Sequence, residues 1–208
     1  MTLTKSKKIP KLIFLKKFLK HGTRIASVAP SSAVLAKEMC RYVNPYKPQV
    51  IIELGTGTGA FTKIISQKMH QRSRLIGFEI DEQFADISEH TCPQATIVRK
   101  SACQIKEELE KLDIFHADLL ISGLSTPTIP QEINIKVLSF LSSQKEDFIF
   151  SQLTEIPWFY YKKYKRLFHE VKFKFVARNI PPAGIYHCQH LKENFRNHIP
   201  GKKKELVL

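Results

Sequence analysis

Val50-Ile51-Ile52-Glu53-Leu54-Gly55-Thr56-Gly57-Thr58-Gly59 is a β-rich apolar run that empties into three glycines at alternate positions. Gly55 and Gly57 permit a tight turn and the close approach of a ligand to the backbone. After Gly59 the apolar spacing changes to that of a helix over Phe61–Met69, so the segment reads strand, glycine loop, helix. Further strand-like runs are Arg74–Glu79, Ala95–Val98, Ala117–Ser122 and Asp147–Gln152. Helix-like runs alternate with them at Glu82–His90, Ile105–Lys111 and Gln131–Leu141. Repeated β-then-α units predict an α/β fold, a mostly parallel sheet with helices on both faces. Beyond Trp158 come a helical piece, Tyr160–Phe168, and two late runs, Val171–Ala177 and Gly184–His190. These are expected to add an antiparallel C-terminal edge, giving seven strands. On the N-terminal side, Ser31 or Ser32 is expected to cap a helix from Ala33 to Val43. No internal repeat or linker divides residues 1–208, which read as a single domain.

The ligand of the loop follows from its neighbours. A dinucleotide fingerprint has the spacing G-x-G-x-x-G, and here it is G-x-G-x-G. Glu53 ends the first strand just before the loop; a carboxylate there repels a pyrophosphate and suits an amino-acid moiety with an ammonium group. Glu79 closes the second strand 20 residues beyond Gly59, where an acid accepts hydrogen bonds from ribose hydroxyls. Ile80 can pack on adenine, whose edge falls to Ser101 and Ala102 after the third strand. Ser122, Gly123 and Leu124 end the fourth strand, facing the reacting group. With Gly55, Thr56, Gly57 and Gly59 these residues form an expected site for S-adenosyl-L-methionine on a Rossmann-like class I methyltransferase fold. Open α/β sheets bind ligands at the carboxyl ends of their strands, where these residues converge.

The net charge is +14, which points to an anionic partner. Eight Lys or Arg lie between Met1 and Arg24, and the first acid is Glu38. In residues 11–20, Leu12, Phe14, Leu15, Phe18 and Leu19 share one helical arc, with Lys16, Lys17 and Lys20 opposite. Residues 1–24 are therefore expected to be a basic amphipathic extension that lies on an anionic membrane surface. A second basic run spans Lys162 to Arg178, and Lys202, Lys203 and Lys204 add a third. Uncharged stretches fall far short of the ~20 apolar residues of a membrane span, and lysines interrupt any secretory apolar core. Cys40, Cys92, Cys103 and Cys188 have no paired spacing and predict free thiols in a reducing compartment. His187-Cys188-Gln189-His190 has loose spacing, and no metal site is expected.

Several segments together resemble the soluble, membrane-associating bacterial phospholipid N-methyltransferases, which convert phosphatidylethanolamine toward phosphatidylcholine and are related to the rRNA adenine dimethylases. They are the basic N-terminus with Ile25-Ala26-Ser27-Val28-Ala29-Pro30-Ser31-Ser32, then Glu53–Gly59 and Glu79, then Ile121-Ser122-Gly123-Leu124, Gln152-Leu153-Thr154 and Asn179-Ile180-Pro181-Pro182-Ala183. The resemblance implies a phospholipid headgroup amine as substrate, or another aminolipid such as ornithine lipid. It adds Ser31 and Ser32 to the cofactor-binding residues. It implies an enzyme that is cytoplasmic, peripheral on the inner face of the membrane, and without an obligate protein partner. Ser101 stands where many such enzymes have Asp, Ser125 where the family has Pro, and Glu155 where it has Tyr.

The chemistry asks for alignment of nucleophile, methyl and sulfur, and for removal of a proton from the lipid ammonium. Glu155 and Tyr186 are the candidate proton acceptors, with Ser122 beside the transfer point. Trp158, Phe159, Tyr160 and Tyr161 offer aromatic faces to a methylated ammonium, and Trp158 and Tyr160 to the substrate or membrane. Two alternatives have other features. A ribosomal RNA adenine methyltransferase needs an aromatic residue after the fourth strand to stack a flipped base, and Ser122-Gly123-Leu124-Ser125 has none. A non-catalytic membrane-binding protein would keep the fold without the chemistry.

Overall fold

The computed structural model describes residues 30–124, 129–156, 158–177 and 182–196. The extension at 1–24 with Phe14, Lys16, Lys17, Phe18 and Lys20, and the Asn179–Pro181 segment, lie outside the described residues.

Seven strands form one sheet: β1 (Val50–Leu54), β2 (Arg74–Phe78), β3 (Thr96–Val98), β4 (Leu119–Ser122), β5 (Ile149–Thr154), β6 (Phe168–Val176) and β7 (Ala183–Leu191). Their order is β3-β2-β1-β4-β5-β7-β6. The first five pair in parallel, and β7 pairs antiparallel with both β5 and β6. Strand order reverses between β1 and β4, which places a crevice at their carboxyl ends. The helices are α1 (Pro30–Met39), α2 (Ala60–Lys68), α3 (Glu82–Thr91), α4 (Ile105–Glu110), α5 (Gln131–Ser142), α6 (Tyr161–Leu167) and α7 (Glu193–Arg196), with a 3-10 turn at Ala102–Gln104.

Strand alternation sends successive side chains to opposite faces. Ile52, Leu54, Leu120 and Phe150 join a core with Ile105, Leu109, Val137, Leu141 and Tyr164 of α4, α5 and α6. Ile51, Leu119, Ile121 and Leu153 join a second core with Leu35, Met39, Phe61 and Ile65 of α1 and α2. Both faces of the sheet are thus covered, which is why its central strands are continuous apolar runs and not half-polar ones.

Several boundaries differ from expectation, among them β5, which is Ile149–Thr154 and not Asp147–Gln152. The first helix already includes Pro30, the first described residue, so Ser31 and Ser32 lie within the helix and not ahead of it. That helix ends at Met39, not Val43. Finally, β6 begins at Phe168, directly after α6, because its pairing with β7 runs from Phe168↔Leu191 to Val176↔Ala183. The four cysteines are free thiols, and Cys40, Cys92 and Cys188 are buried.

Candidate active site

The glycine loop turns sharply at the end of β1. Gly55, Gly57 and Gly59 have φ of 75°, 53° and 79°, a region costly for residues with a Cβ. The amides of Gly55 and Thr56 donate to the Phe78 carbonyl of β2 at 2.9 and 3.3 Å. A Cβ on Gly57 would meet nothing within 4 Å, so the loop there is open to a ligand. Ser88 of α3 braces the loop from behind, its hydroxyl bonding to Thr56 Oγ1 at 3.0 Å and to the Gly57 carbonyl at 2.9 Å.

Glu79 ties this loop to the end of β2. One carboxylate oxygen accepts the Gly57 amide at 2.8 Å, and the other accepts the amides of Ile80 at 2.8 Å and Asp81 at 3.0 Å. The predicted ribose acid therefore also shapes the glycine turn. Ile80 is exposed beside it and offers an apolar surface. Asp81 then caps α3, accepting from Gln83 and Phe84. Ser101 accepts the Cys103 amide at 3.2 Å and caps the 3-10 turn, with Ala102 buried behind it.

Glu53 is fully buried on the α1–α2 side of the sheet, and neither carboxylate oxygen has a partner in hydrogen-bonding geometry. Burial pushes its pKa up to about 8; nearby Thr62 on α2 opposes the rise, and the Glu79 charge adds to it. A buried acid with no cation beside it fits a ligand that brings its own ammonium. The donor set thus suits S-adenosylmethionine: Glu53 for the ammonium, the loop for the methionine portion, Glu79 for the ribose, and Ile80, Ser101 and Ala102 for adenine.

Directly beside the glycine loop, β4 ends in Ser122-Gly123-Leu124. Ser122 is buried, and the Gly123 amide donates to the Leu54 carbonyl at 2.9 Å. A Cβ on Gly123 would come within 3.1 Å of the Gly55 carbonyl, so the two turns touch. Gln152 on β5 fixes this turn: its side-chain amide donates to the Leu124 carbonyl at 2.6 Å and reaches the Ser122 carbonyl at 3.4 Å. Gln152 had no assigned role in the sequence beyond its motif. Its signal is a long amide side chain near the carboxyl end of a buried strand.

Glu155 follows β5 at the same rim and is partly exposed. Tyr186 lies opposite Gln152 in the register but is buried. Its ring packs between Tyr164 and Phe173 at 4.7 and 4.8 Å, tilted by 38° to each. Burial raises its hydroxyl to about 12, opposed by the backbone at Tyr160 and Trp158. Tyr160 is half-buried and edge-on to Phe159 at 5.0 Å, while Trp158 is exposed. The two histidines of His187-Cys188-Gln189-His190 go to different partners, His187 to Ser151 and Glu38, His190 to Glu170.

Solved structures share this architecture. The O-methyltransferase of Bacillus cereus, in complex with SAH, superposes with a TM-score of 0.58 at 14% identity, over 88% of this chain and 93% of that one. Human methyltransferase-like protein 13, also with SAH, gives 0.57 at 12% identity, over 84% and 95%. Aeropyrum pernix fibrillarin with bound S-adenosyl-L-methionine gives 0.53 at 16% identity, over 74% of each chain. No family model matches the sequence. The fold is thus the Rossmann-like one of class I methyltransferases. Among curated proteins, the ornithine lipid N-methyltransferase of Singulisphaera acidiphila is 38% identical over 187 residues, 88% of this chain and 97% of that protein. The chain belongs to that enzyme's family.

Proposed function

We propose that this protein methylates the amine of an aminolipid headgroup at an anionic membrane surface, with ornithine lipid favoured over phosphatidylethanolamine. The observation that carries the reading is the 38% identity, across nearly the full length, to an ornithine lipid N-methyltransferase. No helix among the described residues is long and apolar enough to cross a membrane. The basic extension at 1–24, with Phe14, Lys16, Lys17, Phe18 and Lys20, would therefore bring a peripheral enzyme to the inner, cytoplasmic face of the membrane.

When bound, the cofactor supplies an electrophilic methyl group on a sulfonium. The chain's part is alignment and proton removal. Ser31 and Ser32, Glu53, the loop Gly55–Gly59, Glu79 and the Ser122–Leu124 turn would hold the donor. Gln152 keeps that turn against the loop. The lipid ammonium is nucleophilic only after losing a proton, and Glu155, partly exposed on the strand-end rim, accepts it. Tyr186 remains a phenol at neutral pH, since burial raises its pKa, and its ring packs behind the site. Tyr160 and Trp158 offer aromatic faces to the increasingly methylated ammonium.

The test presents labelled cofactor and full-length protein with three acceptors: ornithine lipid in phosphatidylglycerol vesicles, phosphatidylethanolamine in the same vesicles, and ribosomal RNA. Label is expected in ornithine lipid. Label in phosphatidylethanolamine alone would correct the headgroup, and label in RNA alone would overturn the lipid reading.

A further inference from the structure

Residues 156–177 carry six Lys or Arg (Lys162, Lys163, Lys165, Arg166, Lys172 and Lys174) and one acid, Glu170. Among the described residues none of the six cations is in an ion pair. The same stretch exposes large apolar groups. Phe159 is 72% exposed, Trp158 59%, Ile156 42% and Phe175 36%. They are not scattered. Trp158 lies 4.8 Å from Phe175 and 5.7 Å from Phe173, and Phe159 packs edge-on against Tyr160. Trp158 holds a φ of 67°, unusual for a bulky residue. Ile156 follows the C-terminal end of β5 by two residues, so the patch adjoins the strand-end rim where the donor site sits.

We infer that this patch is a membrane-docking face, separate from residues 1–24, on which Trp158 and Phe159 enter the headgroup layer of an anionic bilayer while the lysines of α6 bind its phosphates. Exposed indole and phenyl rings beside lysines are the chemistry of a bilayer interface. The positive charge matches an anionic leaflet. Position gives the second argument: a lipid amine that stays in its leaflet reaches the crevice only if the rim faces the bilayer. An aromatic and basic surface can also stack single-stranded RNA. Here the exposed apolar groups cluster together, with Trp158 against Phe175, as insertion into lipid requires. The inference rests on the aminolipid reading, and its test uses lipids that carry no amine substrate.

Trp158 is the only tryptophan in the chain, so its fluorescence reports this face alone. Full-length protein is titrated with vesicles of phosphatidylglycerol and phosphatidylcholine, with and without bromine on the upper acyl chain. The emission is expected to shift to the blue and to be quenched by the brominated lipid. Phe159→Ser is expected to weaken vesicle partitioning about tenfold or more, with cofactor affinity retained. Sedimentation with vesicles while Trp158 emission stays unchanged would overturn the proposal, since residues elsewhere would then bind alone. So would undiminished partitioning of Phe159→Ser, or a spectral response to RNA but not to vesicles. Methyl transfer to ornithine lipid in detergent micelles, measured alongside, shows separately whether the enzymatic reading stands.

Discussion

Cofactor binding is expected to expel a proton from Glu53. Its carboxyl is fully buried, with Thr62 close by but no cation beside it, and is pushed up to about 8. At pH 7 a group with that pKa is about 90% protonated in the free protein. The α-amino group of the incoming ligand, ordinarily titrating near 7.7–8.0, is mostly an ammonium at the same pH. Placing that cation beside Glu53 favours the carboxylate; the carboxyl gives up about 0.9 proton and the amine takes up about 0.1–0.2, so binding should release about 0.7–0.8 proton. Ionising the carboxyl one pH unit below its pKa takes about 1.4 kcal/mol. A charged hydrogen bond returns about 1.5–3 kcal/mol, leaving ~0.1–1.6 kcal/mol of net affinity, at most about 15-fold. Calorimetry at pH 7 in buffers of different ionisation enthalpy measures the proton directly. Wild type should show the release; Glu53→Gln should show none and bind more weakly, by at most about 15-fold. If wild type releases no proton, or the variant releases the same amount, Glu53 does not face the ammonium and the assignment is wrong.

Two further predictions concern other carboxylates and the buried histidine. Glu79→Ala removes the acceptor for the Gly57, Ile80 and Asp81 amides; stability should fall by about 2–4 kcal/mol in denaturant titration, and cofactor affinity should drop with it. His187 accepts or donates at Nδ1 to Ser151 at 2.8 Å, with Glu38 3.5 Å from Nε2. Burial lowers it to about 4; Glu38 opposes the shift, and Arg41 and Lys172 reinforce it. Because the folded-state value lies below the unfolded one, near 6.5, this contribution is present above pH 6.5 and is lost as pH falls toward 4. It amounts to on the order of 3 kcal/mol over that window. Denaturant midpoints should decline with acidification more steeply in wild type than in His187→Gln, and equal slopes would refute it.

Local chemistry made much of this protein readable in its sequence. The β1 run, the glycine loop and the onset of α2 are determined by neighbours a few residues apart, so Val50–Leu54 was placed to the residue. The alternation of strands and helices likewise fixed an α/β sheet with an antiparallel edge, because period and turn chemistry are local properties. Glu53, Glu79 and Ser122–Leu124 stood out because acids and glycines interrupt apolar strands at their carboxyl ends.

What only the tertiary structure decided depends on which strands become neighbours and which side chains helices cover. Gln152 meets Leu124 because β5 lies beside β4, a pairing no local pattern encodes. Ser151, His187 and Glu38 meet because β5, β7 and α1 pack on one face, although they are far apart in sequence. Tyr186 looked in sequence like a proton acceptor; burial among Tyr164 and Phe173 holds its proton in place. Conversely, Trp158 and Phe159 look apolar enough for a core, yet the chain leaves β5 in a direction that keeps them at the surface. The glycine loop itself shows both levels. Its conformation follows from three glycines, but the raised pKa of Glu53 beneath it exists only because α1 and α2 close that face to water.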